Sequence, residues 1–171
     1  MPLLSPIHRE PHSPPEPEPP PLNALTVDVE DYYHVSAFEY LIPREQWDQF
    51  APRVEASTET ILDLLENASV KATFFILGWI AERNPRLVRR IHAAGHEIAC
   101  HGYWHRLIYQ QTPAAFRLDL RRARDVLQDA VGVPVTAYRA PSFSITHDSL
   151  WALDVLIEEG FRFDSSVYPT Y

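Results

Sequence analysis

Cysteine is almost missing from this 171-residue chain: Cys100 stands alone, which excludes an internal disulfide framework and a thiolate-rich zinc site. Basic side chains are also scarce, 15 against 23 acidic ones, for a net charge of −8. Binding a phosphate backbone calls for a basic footprint, so nucleic acid is not an expected partner. No apolar run approaches the ~20 residues of a membrane-crossing helix. The N-terminus does not join a charged start to an apolar stretch, so no secretory signal is expected and the default location is the cytoplasm. Apolar side chains, in contrast, make up 46% of the chain, enough at this length to fill the core of one domain. Cys100 lies within an apolar run and is expected to be a small core residue rather than a nucleophile.

Nine of the 16 prolines fall in residues 1–23, concentrated in Pro14–Pro21. That composition favours extended polyproline conformation, and the segment reads as a solvated, disordered tail outside the fold. From Ala24 the pattern alternates. Apolar strands are expected at 24–29, 71–76, 97–100, 135–139 and 161–164. A short helix is expected at 37–41, and longer ones start at Val54, Pro85, Thr112–Pro113 and Thr146. Val54, Ile61, Leu62, Leu64 and Leu65 form a core stripe on the first long helix, and Leu87, Val88 and Ile91 on the second. On the helix after Thr112, Arg121, Arg122 and Arg124 are expected to form a solvated face with Asp119 and Asp125. Strand and helix in repeated alternation imply an α/β fold with a parallel sheet and right-handed crossovers, in which functional residues gather at the carboxyl ends of the strands.

The chemistry-bearing residues obey that rule. His101-Gly102-Tyr103-Trp104-His105 follows the third strand, and two neutral imidazoles four residues apart can face one cation. Asp28-Val29-Glu30-Asp31 closes the first strand and offers carboxylates at the same end of the sheet. Two histidines and one acid leave a coordination position open, an arrangement that suits catalysis more than structure. The spacing of the histidine pair also suits an ordinary surface. Arg139 and Asp164 lie at the ends of the fourth and fifth strands. His34, His92 and His96 have no evident partner, and His147 at a helix start is expected to be exposed. A bare glycosidase pair of carboxylates would leave the two-histidine motif without a role.

Together these segments resemble the NodB-homology polysaccharide deacetylases. Thr26-Val27-Asp28-Val29-Glu30-Asp31 is similar to the first family motif, His101 to His105 to the second, and Arg139-Ala140-Pro141-Ser142-Phe143 to the third. The wording from Val27 to Phe38, with Asp164-Ser165-Ser166-Val167-Tyr168-Pro169, most resembles the subgroup found in exopolysaccharide loci with exosortase systems. The resemblance runs from about 24 to 171. It implies a distorted parallel (β/α) barrel, here supplying about five of the usual seven strands, so the chain reads as the N-terminal part of such a domain without the family's late histidine motif.

The implied activity is metal-dependent hydrolysis of N-acetyl groups on a cell-surface or exported polysaccharide or its precursor, near the membrane-side assembly machinery. The implied cofactor is a divalent metal, zinc best fitting two histidines and an acid. His101 and His105 would be ligands. The family places a ligand acid directly after its catalytic aspartate, but Val29 occupies that position, so Glu30 or Asp31 takes the role. Glu30 shares a strand face with Asp28 if the strand persists, whereas a turn at Val29 would favour Asp31. Asp28 would act as general base and Arg139 would hold it by a salt bridge. Tyr103, Trp104, Pro141 and Phe143 would shape the sugar groove, and Asp164 would either orient the late histidine or cap its strand. Two other readings stay open: hydrolysis of a different amide, as in allantoinase-like relatives, and a non-catalytic carbohydrate-binding domain.

Overall fold

The computed structural model describes residues 23–168; the proline-rich tail, apart from Asn23, and Pro169 lie outside them. Five strands form one sheet: β1 (Thr26–Val29), β2 (Thr73–Ile76), β3 (Glu97–Cys100), β4 (Ala137–Tyr138) and β5 (Phe163–Asp164). They pair in the order β1-β2-β3-β4-β5, every pair parallel. Between them run α1 (Val54–Ala68), α2 (Gly78–Arg83), α3 (Pro85–Ala93), α4 (Pro113–Val131) and α5 (Trp151–Glu158). The α/β architecture with a parallel sheet is therefore the one expected. Among the described residues β1 and β5 each pair on one side only. Among the described residues no helix is long and apolar enough to cross a membrane.

Strand alternation sorts the side chains into two sets. Phe74, Ile76, Ile98, Cys100 and Tyr138 join the main core with Leu62, Leu87, Val88, Ile91, Leu120 and Leu127 from the helices. Phe75, Ala99 and Ala137 form a separate small cluster on the opposite face, and Asp28 is in register with Phe75, which is in register with Ala99. Continuing that face by two residues leads from Asp28 to Glu30, from Ala99 to His101 and from Ala137 to Arg139. Short strands that share this face thus end in polar groups.

Local signals explain most element boundaries. Thr112 Oγ1 accepts from the Ala115 amide at 3.2 Å, Pro113 opens α4, and Gly132 ends it at φ 73°, the left-handed stop that glycine tolerates. Cys100 is fully buried, and burial pushes its thiol up to about 12, as befits an inert core residue. Four expectations need correction. Leu64 is 63% exposed and does not belong to the α1 stripe, which rests on Val54, Leu62 and Leu65. The expected helix at 37–41 is a single 3-10 turn, Ser36–Phe38, followed by irregular chain. β4 and β5 are two residues each, shorter than the apolar runs that announce them. Helix α2 was not expected, because six residues starting inside an apolar run show no helical period. It begins at Gly78, whose amide donates to the Gly102 carbonyl at 2.8 Å. A Cβ there would stand 2.7 Å from Tyr103 Cδ2 and 2.8 Å from Ala123 Cα, so only glycine lets α2 approach α4 and the loop after β3 this closely.

Helices α4 and α5 are joined by ion pairs at Glu159, whose carboxylate meets Arg117 at 2.6 Å and Arg121 at 2.8 Å, while Arg124 Nη1 donates to the Glu159 carbonyl at 2.6 Å. These arginines, led by Arg121, draw the Glu159 carboxyl from the ordinary 4.5 to about 2. A carboxyl with a lowered folded-state pKa contributes stability above its unfolded value and loses it as pH falls through the folded one. Wild-type protein is therefore expected to exceed Glu159→Gln in stability above pH 4.5, with the difference closing towards pH 2, as read from urea midpoints across that range.

Candidate functional site

The loop that follows β3 carries both histidines on an unusual backbone. Gly102 has φ 72° and His105 has φ 51°, a region that non-glycine residues seldom occupy. The loop is held from outside by Asp119 of α4, whose carboxylate accepts the amides of Tyr103 at 2.7 Å and Trp104 at 3.2 Å. Burial raises the Asp119 pKa, against the lowering effect of those two amides. Asp119 was expected on a solvated face; it turns inward instead, because two loop amides have no other acceptor. Arg44 adds a second clamp, donating from Nε to the Trp104 carbonyl at 2.7 Å.

Within this frame one donor atom each from Glu30, His101 and His105 lie within 4.8 Å of one another. His101 and His105 are buried and their rings are 5.4 Å apart. His101 Nδ1 is 2.8 Å from the Arg139 carbonyl oxygen. A carbonyl only accepts, so Nδ1 carries the proton and Nε2 keeps a free lone pair. His105 Nε2 stands 2.8 Å from Glu30 Oε2, yet that oxygen is buried without hydrogen-bond geometry to any described residue. A carboxylate oxygen and an imidazole nitrogen 2.8 Å apart, beside a second buried imidazole, also suit ligands drawn around a shared cation. Burial raises the Glu30 pKa but His105, followed by His101 and His34, lowers it further, so the group lies below its ordinary value. Burial also holds His101 below the usual imidazole range. An ionised Glu30 and a neutral His101 are the states in which these two groups can ligate a cation.

Asp31 does not join this cluster. Its carboxylate accepts the amides of Arg53 at 2.7 Å and Val54 at 3.0 Å, at the start of α1, and that of Tyr32 at 3.1 Å. Alternation persists past the end of β1, so Asp28 and Glu30 share one side while Asp31 turns to the other. Asp28 Oδ1 accepts from Arg139 Nη1 at 2.8 Å. Arg139 is itself buried, with Nη2 donating to Thr26 Oγ1 at 3.0 Å and Ser165 Oγ at 2.8 Å and its guanidinium carbon 4.2 Å from the Phe75 ring centre.

The aromatic expectations divide. Tyr103 is fully buried, its hydroxyl donating to Glu82 at 2.6 Å and Arg122 lying over its ring; it is a core residue and offers no face to a sugar. Pro141 is buried too. Trp104 is half-buried, 6.0 Å from Trp47, and Phe143 is 41% exposed beside Tyr168. Asp164 accepts from Ser166 N at 3.0 Å and Ser166 Oγ at 2.5 Å, closing the turn after β5, which matches its reading as a strand cap. His147 is exposed. His96 is buried at the opposite end of β3 and accepts the Ala72 amide at 3.2 Å.

Sequence reasoning missed His34. It is buried among Tyr33, Trp47 and Trp79 and accepts the Asp31 amide on Nδ1 at 2.8 Å, completing a capping box with Asp31. Burial pushes it down to about 3, so it is neutral. The signal was present as an acid followed three residues later by a side chain able to reach back, with histidine in the place of glutamate.

Comparison with known proteins follows this geometry. The family model described as polysaccharide deacetylase matches residues 46–157. Bacillus subtilis YheN, named a polysaccharide deacetylase, is 40% identical over 88 residues, 50% of this chain and 31% of that protein. A peptidoglycan-N-acetylglucosamine deacetylase of Bacillus cereus is 35% identical over 98 residues, 57% of this chain and 36% of that protein. A chitooligosaccharide deacetylase of Bradyrhizobium is 30% identical over 99 residues, 58% and 43% of the respective chains. This chain thus spans less than half the length of these curated relatives. Among solved structures, a polysaccharide deacetylase of Mycobacterium smegmatis superposes with a TM-score of 0.69 at 30% identity, covering 84% of this chain and 50% of that one.

Removing the Asp119 clamp leaves two loop amides without an acceptor, each worth about 1–3 kcal/mol when buried. Asp119→Ala is expected to lower unfolding free energy by roughly 2–4 kcal/mol, and Asp119→Asn, which keeps one acceptor oxygen, by less. Denaturant titration of the two variants checks the order.

Proposed function

The chain belongs to the polysaccharide deacetylase family, and on that premise we propose that it hydrolyses N-acetyl groups on a polysaccharide or its precursor, using zinc held by His101, His105 and Glu30. The observation that carries this reading is the adjacency of two systems. One is a three-donor set of two buried imidazoles and a carboxylate; the other is an aspartate fixed by a buried arginine. The first suits a cation and the second suits a base.

A divalent cation in that donor set supplies Lewis acidity to the amide carbonyl and acidifies water. Asp28 accepts the proton of the attacking water, and Arg139 holds that carboxylate in place by donating to Oδ1. The water oxygen bonds to the carbonyl carbon, the C–N bond breaks, and the proton taken up by Asp28 passes to the leaving nitrogen, giving acetate and a free sugar amine. Phe143 offers an exposed ring to the C–H face of a sugar, and Trp104 contributes its exposed edge. Two imidazoles with one carboxylate favour zinc among the divalent ions. The wording of Val27 to Phe38 supports an exopolysaccharide as the polymer.

The test is acetate release from N-acetylglucosamine oligomers with zinc and with chelator. Zinc-dependent release is expected. His105→Ala is expected to lose zinc binding, measured by competition with a chromophoric chelator. Asp28→Asn should retain zinc and lose about 100-fold or more in turnover, the scale of general-base catalysis. Release that persists in chelator, or a fully active aspartate variant, would overturn the mechanism. Zinc and sugar binding without release would instead make the chain a carbohydrate-binding module.

A further inference from the structure

The two histidines differ in what holds their outer nitrogens. His101 Nδ1 is fixed by a backbone carbonyl, which no substitution of a side chain removes. His105 Nδ1 has one partner among the described residues, the hydroxyl of Ser36 at 3.4 Å. Ser36 lies at the start of the 3-10 turn between β1 and α1, and its Oγ is in turn 3.1 Å from Ser142 Oγ, in the loop after β4. The chain His105–Ser36–Ser142 thus bridges three loops far apart in sequence. Both ends lie on left-handed backbone, His105 at φ 51° and Ser142 at φ 53°, conformations that persist only where surrounding contacts hold them.

The bridge has a required direction. His105 Nε2 faces Glu30 Oε2; with a cation held between them, Nε2 offers its lone pair to the cation and Nδ1 must carry the proton. Ser36 Oγ then accepts from His105, and its single hydrogen is free to be donated to Ser142 Oγ. The opposite polarity, with Ser36 donating to Nδ1, would put the proton on Nε2 and remove His105 as a ligand.

We infer that Ser36 is a positioning residue that fixes the ring and tautomer of His105, with Ser142 orienting the Ser36 hydroxyl. The inference rests on the metal-site reading above. Hydrogen-bond partners behind metal-binding histidines typically contribute 10–100-fold in metal affinity, and this one is long and partly exposed, which places it at the lower end.

The experiment has two arms. In zinc-loaded wild-type protein at pH 8, long-range 1H–15N correlation spectra of labelled histidine are expected to show His105 with its proton on Nδ1, slow to exchange with water. Ser36→Ala should speed that exchange, and Ser36→Thr, which keeps the hydroxyl, should restore the wild-type rate. In the second arm, zinc alone is titrated against a competing chelator. Ser36→Ala is expected to bind about 10-fold more weakly, Ser142→Ala less weakly than that, and Ser36→Thr nearly as wild type. A zinc-loaded wild type with the His105 proton on Nε2 would overturn the proposal, as would a Ser36→Ala variant with wild-type proton exchange and zinc affinity. Failure of wild-type protein to bind zinc would sink the metal-site reading and this proposal with it, whereas zinc binding indifferent to Ser36→Ala would sink this proposal alone.

Discussion

Arg139 holds the site together from both ends of one residue. Its backbone carbonyl takes the Nδ1 proton of His101, and its guanidinium takes Asp28, Thr26 and Ser165. Its own amide is bonded to the Cys100 carbonyl at 3.0 Å, which extends the β3–β4 pairing by one step. The distance between the imidazole and the aspartate is therefore set by the covalent dimensions of one residue and the spacing of parallel strands. A guanidinium in this buried place needs an acceptor on every nitrogen, and the acceptors come from β1 and from the segment after β5. Losing any one of them disturbs the other contacts.

The remaining geometry follows from strand alternation. The inner face of β1 to β4 is narrow, carrying Phe75, Ala99 and Ala137, so the side chains one step beyond the strand ends converge. Glu30, His101 and Arg139 occupy those positions. The helices supply the second condition. Asp119 on α4 and Gly78 on α2 hold the loop between the histidines, one by accepting its amides and the other by allowing backbone contact. A stable, tightly packed outer layer thus keeps His105 in a backbone conformation it would not choose by itself.

Much of this was legible in the residues. The five strands and the four long helices announce themselves by apolar period, proline at Pro85 and Pro113, and glycine at Gly132 and Gly160. The candidate ligands and the aspartate–arginine pair stand in short motifs at strand ends. What stayed hidden depends on tertiary neighbours. Asp119 looks like any acid on an arginine-rich helix, and only the two loop amides opposite it make it internal. Tyr103 resembles a groove aromatic in sequence, but Glu82 and Arg122 enclose it. Glu30 and Asp31 could not be told apart until the start of α1 was seen to occupy Asp31. Ser36 and Ser142 meet across 106 residues, a pairing no local pattern reveals.

The proposed function rests on a two-histidine, one-carboxylate metal centre at Glu30, His101 and His105. X-ray absorption at the zinc edge of the loaded protein tests that most directly. The account predicts a low-coordinate zinc with outer-shell scattering from two imidazoles, nitrogen and oxygen neighbours at about 2.0–2.2 Å, and loss of one imidazole in His105→Ala. A spectrum with sulfur in the first shell, or one unchanged by that substitution, would contradict it.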